Sequence, residues 1–66
     1  MELGKTIKEL RKEKGLTQTA LAGVLCTTQD SISLWERGKS LPDIPTLIKI
    51  AEFFDVTTDY LLGIEK

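Results

Sequence analysis

The sequence contains no histidine and a single cysteine. These two scarcities remove the usual zinc clusters and any Cys/His or Ser/His nucleophile pair. One thiol cannot make an internal disulfide, and there is no charged-then-apolar leader and no run of about 18 apolar residues. A reducing cytoplasm is therefore the expected compartment, with no membrane partner. The ten carboxylates are scattered singly over helix surfaces and turns, the pattern of a solvated face rather than of an acid/base pair. No enzymatic chemistry, cofactor, metal or small-molecule ligand is expected. Repeats, linkers, low-complexity segments and alternating strand patterns are also missing. Sixty-six residues make one domain, residues 1–66, and a chain of this size buries only about 60% of its unfolded surface, so stability should be modest.

What is present is helical periodicity, and the stretch from Gln18 to Arg37 organises the rest. Leu21, Ala22 and Leu25 give one short segment an apolar face, and Ile32 and Trp35 give the next segment another. The faces can pack on each other. Small Ala22 permits close approach, and Cys26-Thr27-Thr28 is short enough to force a steep crossing that leaves the second segment protruding.

In chain order, Leu3, Ile7 and Leu10 mark a first helix over about residues 3 to 14, ended by Gly15, with Leu16 folding back onto Leu10. Thr17 caps the second helix and makes a hydrophobic staple of Leu16 and Leu21; Ala20 leaves the capping box incomplete. Thr28 caps the third helix, which Gly38 stops. Pro42 keeps Leu41 extended, and Asp43 caps a fourth helix whose expected buried stripe is Ile44, Leu47, Ile50, Ala51 and Phe54, flanked by Ile48 and Phe53. Thr57 caps a fifth, ending at Gly63. The expected fold is a compact all-α domain of five helices, with a helix-turn-helix in helices 2 and 3.

Net charge is −1, but it is unevenly distributed. Residues 1 to 39 carry seven bases and five acids, or +2, and residues 40 to 66 carry two bases and five acids, or −3. The positive half holds the protruding helix, so the molecule should present a basic side to a polyanion.

On a wheel of the third helix, Ile32, Trp35 and Glu36 point inward. Asp30, Ser33, Leu34 and Arg37 point outward, flanked by Gln29 and Ser31. In a DNA major groove Gln29 can pair with an adenine edge, Asp30 can accept from a cytosine amino group, and Leu34 can touch a thymine methyl; Ser33 shares that face. Asp30 has a rival reading, stabilising the helix dipole and repelling wrong sequences. Phosphate contacts are expected from Thr17, Gln18, Thr28 and Ser31 near the two helix starts, and from Arg37, Lys39 and Ser40 after the third helix. The lysines of the first helix read as a solvated face, Cys26 as a plain turn residue and Trp35 as core.

Arg11, Gly15-Leu16-Thr17-Gln18, Leu21-Ala22, Thr28-Gln29, Ser31-Ile32, Trp35-Glu36-Arg37-Gly38, Pro42 and Asp59-Tyr60-Leu61-Leu62, in this order and spacing, resemble the lambda-repressor-like, XRE-type helix-turn-helix regulators of phages and bacteria. The resemblance covers nearly the whole chain. It implies a sequence-specific double-stranded DNA-binding transcriptional regulator, a repressor, docking as a two-fold dimer on a pseudo-palindrome. It also implies that Gln29 reads a base and that Arg11 and Glu36 form a buried ion pair. Two positions depart from the pattern: Cys26 stands where glycine is usual, at a cost of roughly 1 kcal/mol if its φ is positive, and Thr27 where an apolar residue is usual. The apolar excess at the carboxy-terminal end nominates Tyr60, Leu61 and Ile64 for the dimer contact, with Leu62 as core. The competing expectation is a protein-interaction module that dimerises or sequesters a partner without DNA. Acidic Asp30 and the overall charge favour that reading.

Overall fold

The computed structural model describes residues 2–64 and contains α1 (Leu3–Glu13), α2 (Gln18–Leu25), α3 (Gln29–Glu36), α4 (Ile44–Phe54) and α5 (Thr58–Leu62). Local chemistry sets both ends of the helices. At the starts of α2, α3, α4 and α5, side chains of Thr17, Thr28, Asp43 and Thr57 accept from the backbone N–H of Ala20, Ser31, Thr46 and Tyr60, satisfying donors that have no partner inside the helix. Among the described residues, α1 alone starts without a side-chain cap.

At the other ends the chain turns through a left-handed residue: Gly15, Cys26, Gly38, Asp55 and Gly63. In every case the next residue's N–H reaches back to close the final turn. The bonds are Leu16 to Arg11, Thr27 to Ala22, Lys39 to Leu34, Val56 to Ala51 and Ile64 to Asp59, at 2.9 to 3.0 Å. Cys26 (φ 56°) and Asp55 (φ 55°) adopt this conformation despite their Cβ atoms.

α2 and α3 pack face to face, α1 lies against α3, and α5 contacts both α1 and α4. Ile7, Leu21, Ile32, Ile50 and Leu61, one from each helix, are fully buried, and each contributes about 1.5 to 3 kcal/mol relative to exposure. Leu16, Phe53, Val56 and Leu62 pack partly buried around them. α1 approaches α3 so closely at Gly4 that a Cβ there would overlap the Trp35 carbonyl oxygen and lie 3.0 Å from that of Glu36. The Lys14 ammonium, 5.4 Å from the centroid of the Phe53 ring, ties the end of α1 to α4.

Two expectations are corrected. Ile44 was placed in the buried stripe of α4 but is 68% exposed; Leu41 and Pro45 beside it are exposed too, so the first turn of α4 extends beyond the core and the stripe begins at Leu47. Leu61 was assigned to a dimer surface but has no exposure at all. A helix of five residues has one inward position per turn, and in α5 Leu61 occupies it between α1 and α4, while Leu62 is half-buried and Tyr60 and Ile64 are exposed.

Candidate nucleic-acid interface

α2 and α3 pack together, burying Leu21, Ala22, Leu25, Ile32 and Trp35, and the chain turns between them through the left-handed residue Cys26. Along α3, Gln29, Asp30, Leu34 and Arg37 are exposed, and Ser31 and Ser33 are half-buried. Thr28 and Ser31 form a small unit at the helix start: the Thr28 hydroxyl oxygen accepts from the Ser31 N–H at 3.2 Å and its O–H donates to the Ser31 hydroxyl at 3.0 Å. Lys39 and Ser40 are exposed in the loop that follows, and Thr17 is exposed at the start of α2.

Beneath this surface lies a continuous chain of polar contacts. Arg11 of α1 donates from Nε to Glu36 Oε2 at 2.7 Å and from Nη2 to Glu36 Oε1 at 3.0 Å, a two-pronged ion pair whose side chains are 10% and 3% exposed. The remaining Arg11 prong, Nη1, donates to the Leu16 carbonyl at 2.8 Å. Glu36 Oε1 also accepts from Gln18 Nε2 at 3.0 Å, and Gln18 Oε1 accepts from Gln29 Nε2 at 2.6 Å. The exposed amide of Gln29 is thus oriented through Gln18 by a buried carboxylate.

Burial by itself would push the Glu36 carboxyl upward. The hydrogen bonds from Arg11 and Gln18 and the charges of Arg11 and Lys8 together outweigh it, leaving the group below its usual value. Arg11 is held above its usual value, chiefly by the hydrogen bond to Glu36. Among the described residues no buried side-chain nitrogen or oxygen lacks a partner.

Of the expected site residues, the structure joins Gln18 to Gln29 and Thr28 to Ser31 by side-chain hydrogen bonds. The Arg37 side chain departs from the expected grouping with Lys39 and Ser40: it folds back along α3 to Ser33. Leu61 lies in the core, away from any surface. Sequence reasoning named Gln18 only for phosphate contact and missed its link between Gln29 and Glu36. Two glutamines eleven residues apart carry no periodic signal, because their meeting depends on how α2 crosses α3. No enclosed cavity is found among the described residues. None of their helices is long and apolar enough to cross a membrane.

Comparison with known proteins bears on what this face meets. The family model described as helix-turn-helix matches residues 7–61. The chain is 43% identical over 63 residues to the HTH-type transcriptional regulator ImmR of Bacillus subtilis, covering 96% of this chain and 50% of ImmR. It is 42% identical over 66 residues to the HTH-type transcriptional activator BcrR of Enterococcus faecalis, covering 100% of this chain and 32% of BcrR. It therefore spans about half the length of one relative and a third of the other. Among solved structures, the P22 c2 repressor protein in complex with a synthetic operator superposes with a TM-score of 0.89 at 28% identity, over 96% of both chains.

Proposed function

Because the chain belongs to the helix-turn-helix family of DNA-binding transcriptional regulators, we propose that it is a sequence-specific repressor that binds a pseudo-palindromic operator as a two-fold dimer. α3 lies in the major groove, and repression follows from occupying the promoter, which requires only tight binding in the right place. The protein acts in the cytoplasm, on the nucleoid.

The observation that carries this reading is the oriented amide of Gln29. One Nε2 hydrogen is spent on Gln18. The other, together with Oε1, is the donor and acceptor pair that an adenine edge matches. A side chain serving only as a solvated surface has no need of a tether running to a buried ion pair. Asp30 accepts from a cytosine amino group and Leu34 meets a thymine methyl. Thr17, Gln18, Thr28, Ser31, Lys39 and Ser40 hold the sugar-phosphate backbone, setting position rather than sequence. Tyr60 and Ile64, both exposed, supply the dimer contact, without Leu61.

The test is a titration of wild type and Gln29→Ala against an operator selected from a random pool and against a scrambled duplex, at several salt concentrations. Wild-type affinity should fall steeply with salt as counterions cease to be released favourably. Gln29→Ala should cost about 1 to 3 kcal/mol on the selected site and relax the preference at one base pair per half-site. If the substitution weakened both duplexes equally, Gln29 would not be reading a base. If wild type bound no duplex even at low salt, the protein-interaction reading would replace this one.

A further inference from the structure

Arg37 is the residue at the end of α3, next to Gly38, Lys39 and Ser40, and that neighbourhood suggests a phosphate grip. Its side chain is held somewhere else. The Arg37 Nε donates to the Ser33 carbonyl at 3.3 Å and to the Ser33 hydroxyl at 3.2 Å. The Arg37 backbone N–H donates to the same Ser33 carbonyl at 3.0 Å. Three contacts from one residue onto another fix the arginine stem along the helix and direct it one turn back from the loop. Attraction to the negative end of the helix would draw a cation to this region, but it does not require the serine hydroxyl.

Asp30, Ser33, Leu34 and Arg37 fall within about 100° of one another around the helix axis, at 100° per residue. The guanidinium is therefore carried on the outward face of α3, at the level of Ser33. That level is about 6 Å along the axis from Gln29, or roughly two base-pair steps. With Nε committed to Ser33, the two terminal amino groups keep four N–H donors in one plane. A planar donor fork on this face matches the paired O6 and N7 acceptors of guanine.

Building on the DNA-binding reading above, we infer that Arg37 reads a guanine in the major groove and that Ser33, rather than reading a base itself, is the positioning residue that aims it. Asp30 shares the face. Its carboxylate would repel a phosphate drawn towards Arg37 but has no such quarrel with the base edge of a neighbouring cytosine, whose amino group donates.

The experiment uses the 66-residue chain and a duplex pool randomised across one half-site, with wild type, Arg37→Lys, Arg37→Ala and Ser33→Ala, each first checked for helical circular dichroism. Lysine keeps the charge and loses the fork. Arg37→Lys should lose a guanine preference of about 10- to 100-fold at one position per half-site, with preferences elsewhere and the salt slope unchanged. Ser33→Ala should weaken the same position several-fold, again without altering the salt slope. The inference is overturned if Arg37→Lys keeps every base preference of wild type while Arg37→Ala lowers the slope of log affinity against log salt by about 1 per half-site, the mark of a phosphate contact. In that outcome wild type still selects a sequence, and the DNA-binding reading stands. Wild type that shows no duplex binding at low salt would sink both.

Discussion

Glu36→Ala should remove a large fraction of the stability of this domain, and the structure gives the reason and the size. The carboxylate receives both prongs of Arg11 and one N–H of Gln18. Its loss leaves a guanidinium that is 10% exposed with the Leu16 carbonyl as its one remaining acceptor. Deleting one partner of a buried pair costs about 3 to 5 kcal/mol because the other charge stays behind. A 66-residue domain has roughly 3 to 10 kcal/mol in total. The assay is urea unfolding followed by tryptophan fluorescence in a stabilising osmolyte. Trp35 is the only tryptophan, is 7% exposed and precedes Glu36 in the chain, so its emission reports on this region of the core. Arg11→Met with Glu36→Leu removes both charges and should recover most of the loss, since a buried pair is often no better than well-packed apolar side chains. That double variant should nevertheless bind DNA with a weakened preference at the Gln29 position, because Gln18 would have lost the acceptor that holds it. The reasoning fails if Glu36→Ala lies within 1 kcal/mol of wild type, or if the double variant is as unstable as the two single losses added together.

Three further outcomes follow from the same geometry. Because the folded-state value of Glu36 is depressed, its charge contributes stability that is fully present above the unfolded carboxyl value of about 4.3 and is lost as pH falls through the lower folded value; in acid titrations Glu36→Gln should lack this component. Gly4→Ala should destabilise by about 1 to 3 kcal/mol despite the better helix propensity of alanine, since α1 must move off the Trp35 and Glu36 carbonyls to admit a Cβ; an unchanged urea midpoint would contradict the close approach. Cys26→Gly should stabilise by about 0.5 to 1 kcal/mol, the left-handed strain of roughly 1 to 2 kcal/mol less the entropy of a glycine in the unfolded chain, and an unchanged or lower midpoint would show that Cys26 carries no such strain.

The helices were legible in the sequence because their signals are local. Thr17, Thr28, Asp43 and Thr57 each sit directly before an apolar period, and a hydroxyl or carboxylate there has one obvious use, which the structure shows it making. The left-handed turn at Cys26 was legible only through the resemblance, in which glycine is usual at that position, and the structure gives Cys26 a φ of 56°. The misplaced residues are those whose environment is set by distant parts of the chain. Leu61 and Leu62 are chemically equivalent neighbours, and only the position of α5 between α1 and α4 decides which is buried. Ile44 satisfies the spacing of the α4 stripe, but periodicity does not say where the core ends. Gly4 reads in sequence as an indifferent residue in a helix, and becomes indispensable only once α3 lies against it.

The same distinction explains why the interface was legible as a face but not as a mechanism. Which side chains of α3 point outward follows from 3.6 residues per turn: of the expected outward set Asp30, Leu34 and Arg37 are exposed and Ser33 is half-buried, and the flanking Gln29 is exposed as well. How each is held depends on contacts between helices, or on a rotamer that the spacing permits without requiring. Gln29 is tethered across to α2, whereas Arg37 is tethered back along its own helix. The consequence reaches beyond orientation. A tether lowers the side-chain entropy lost on binding, which would otherwise cost about 0.5 to 1.5 kcal/mol for each long side chain that is immobilised. A domain with a net charge of −1 has only the modest excess of bases in residues 1–39 to draw it to a polyanion. It gains more from groups already held in place, and both of its longest outward polar side chains on α3, Gln29 and Arg37, are held.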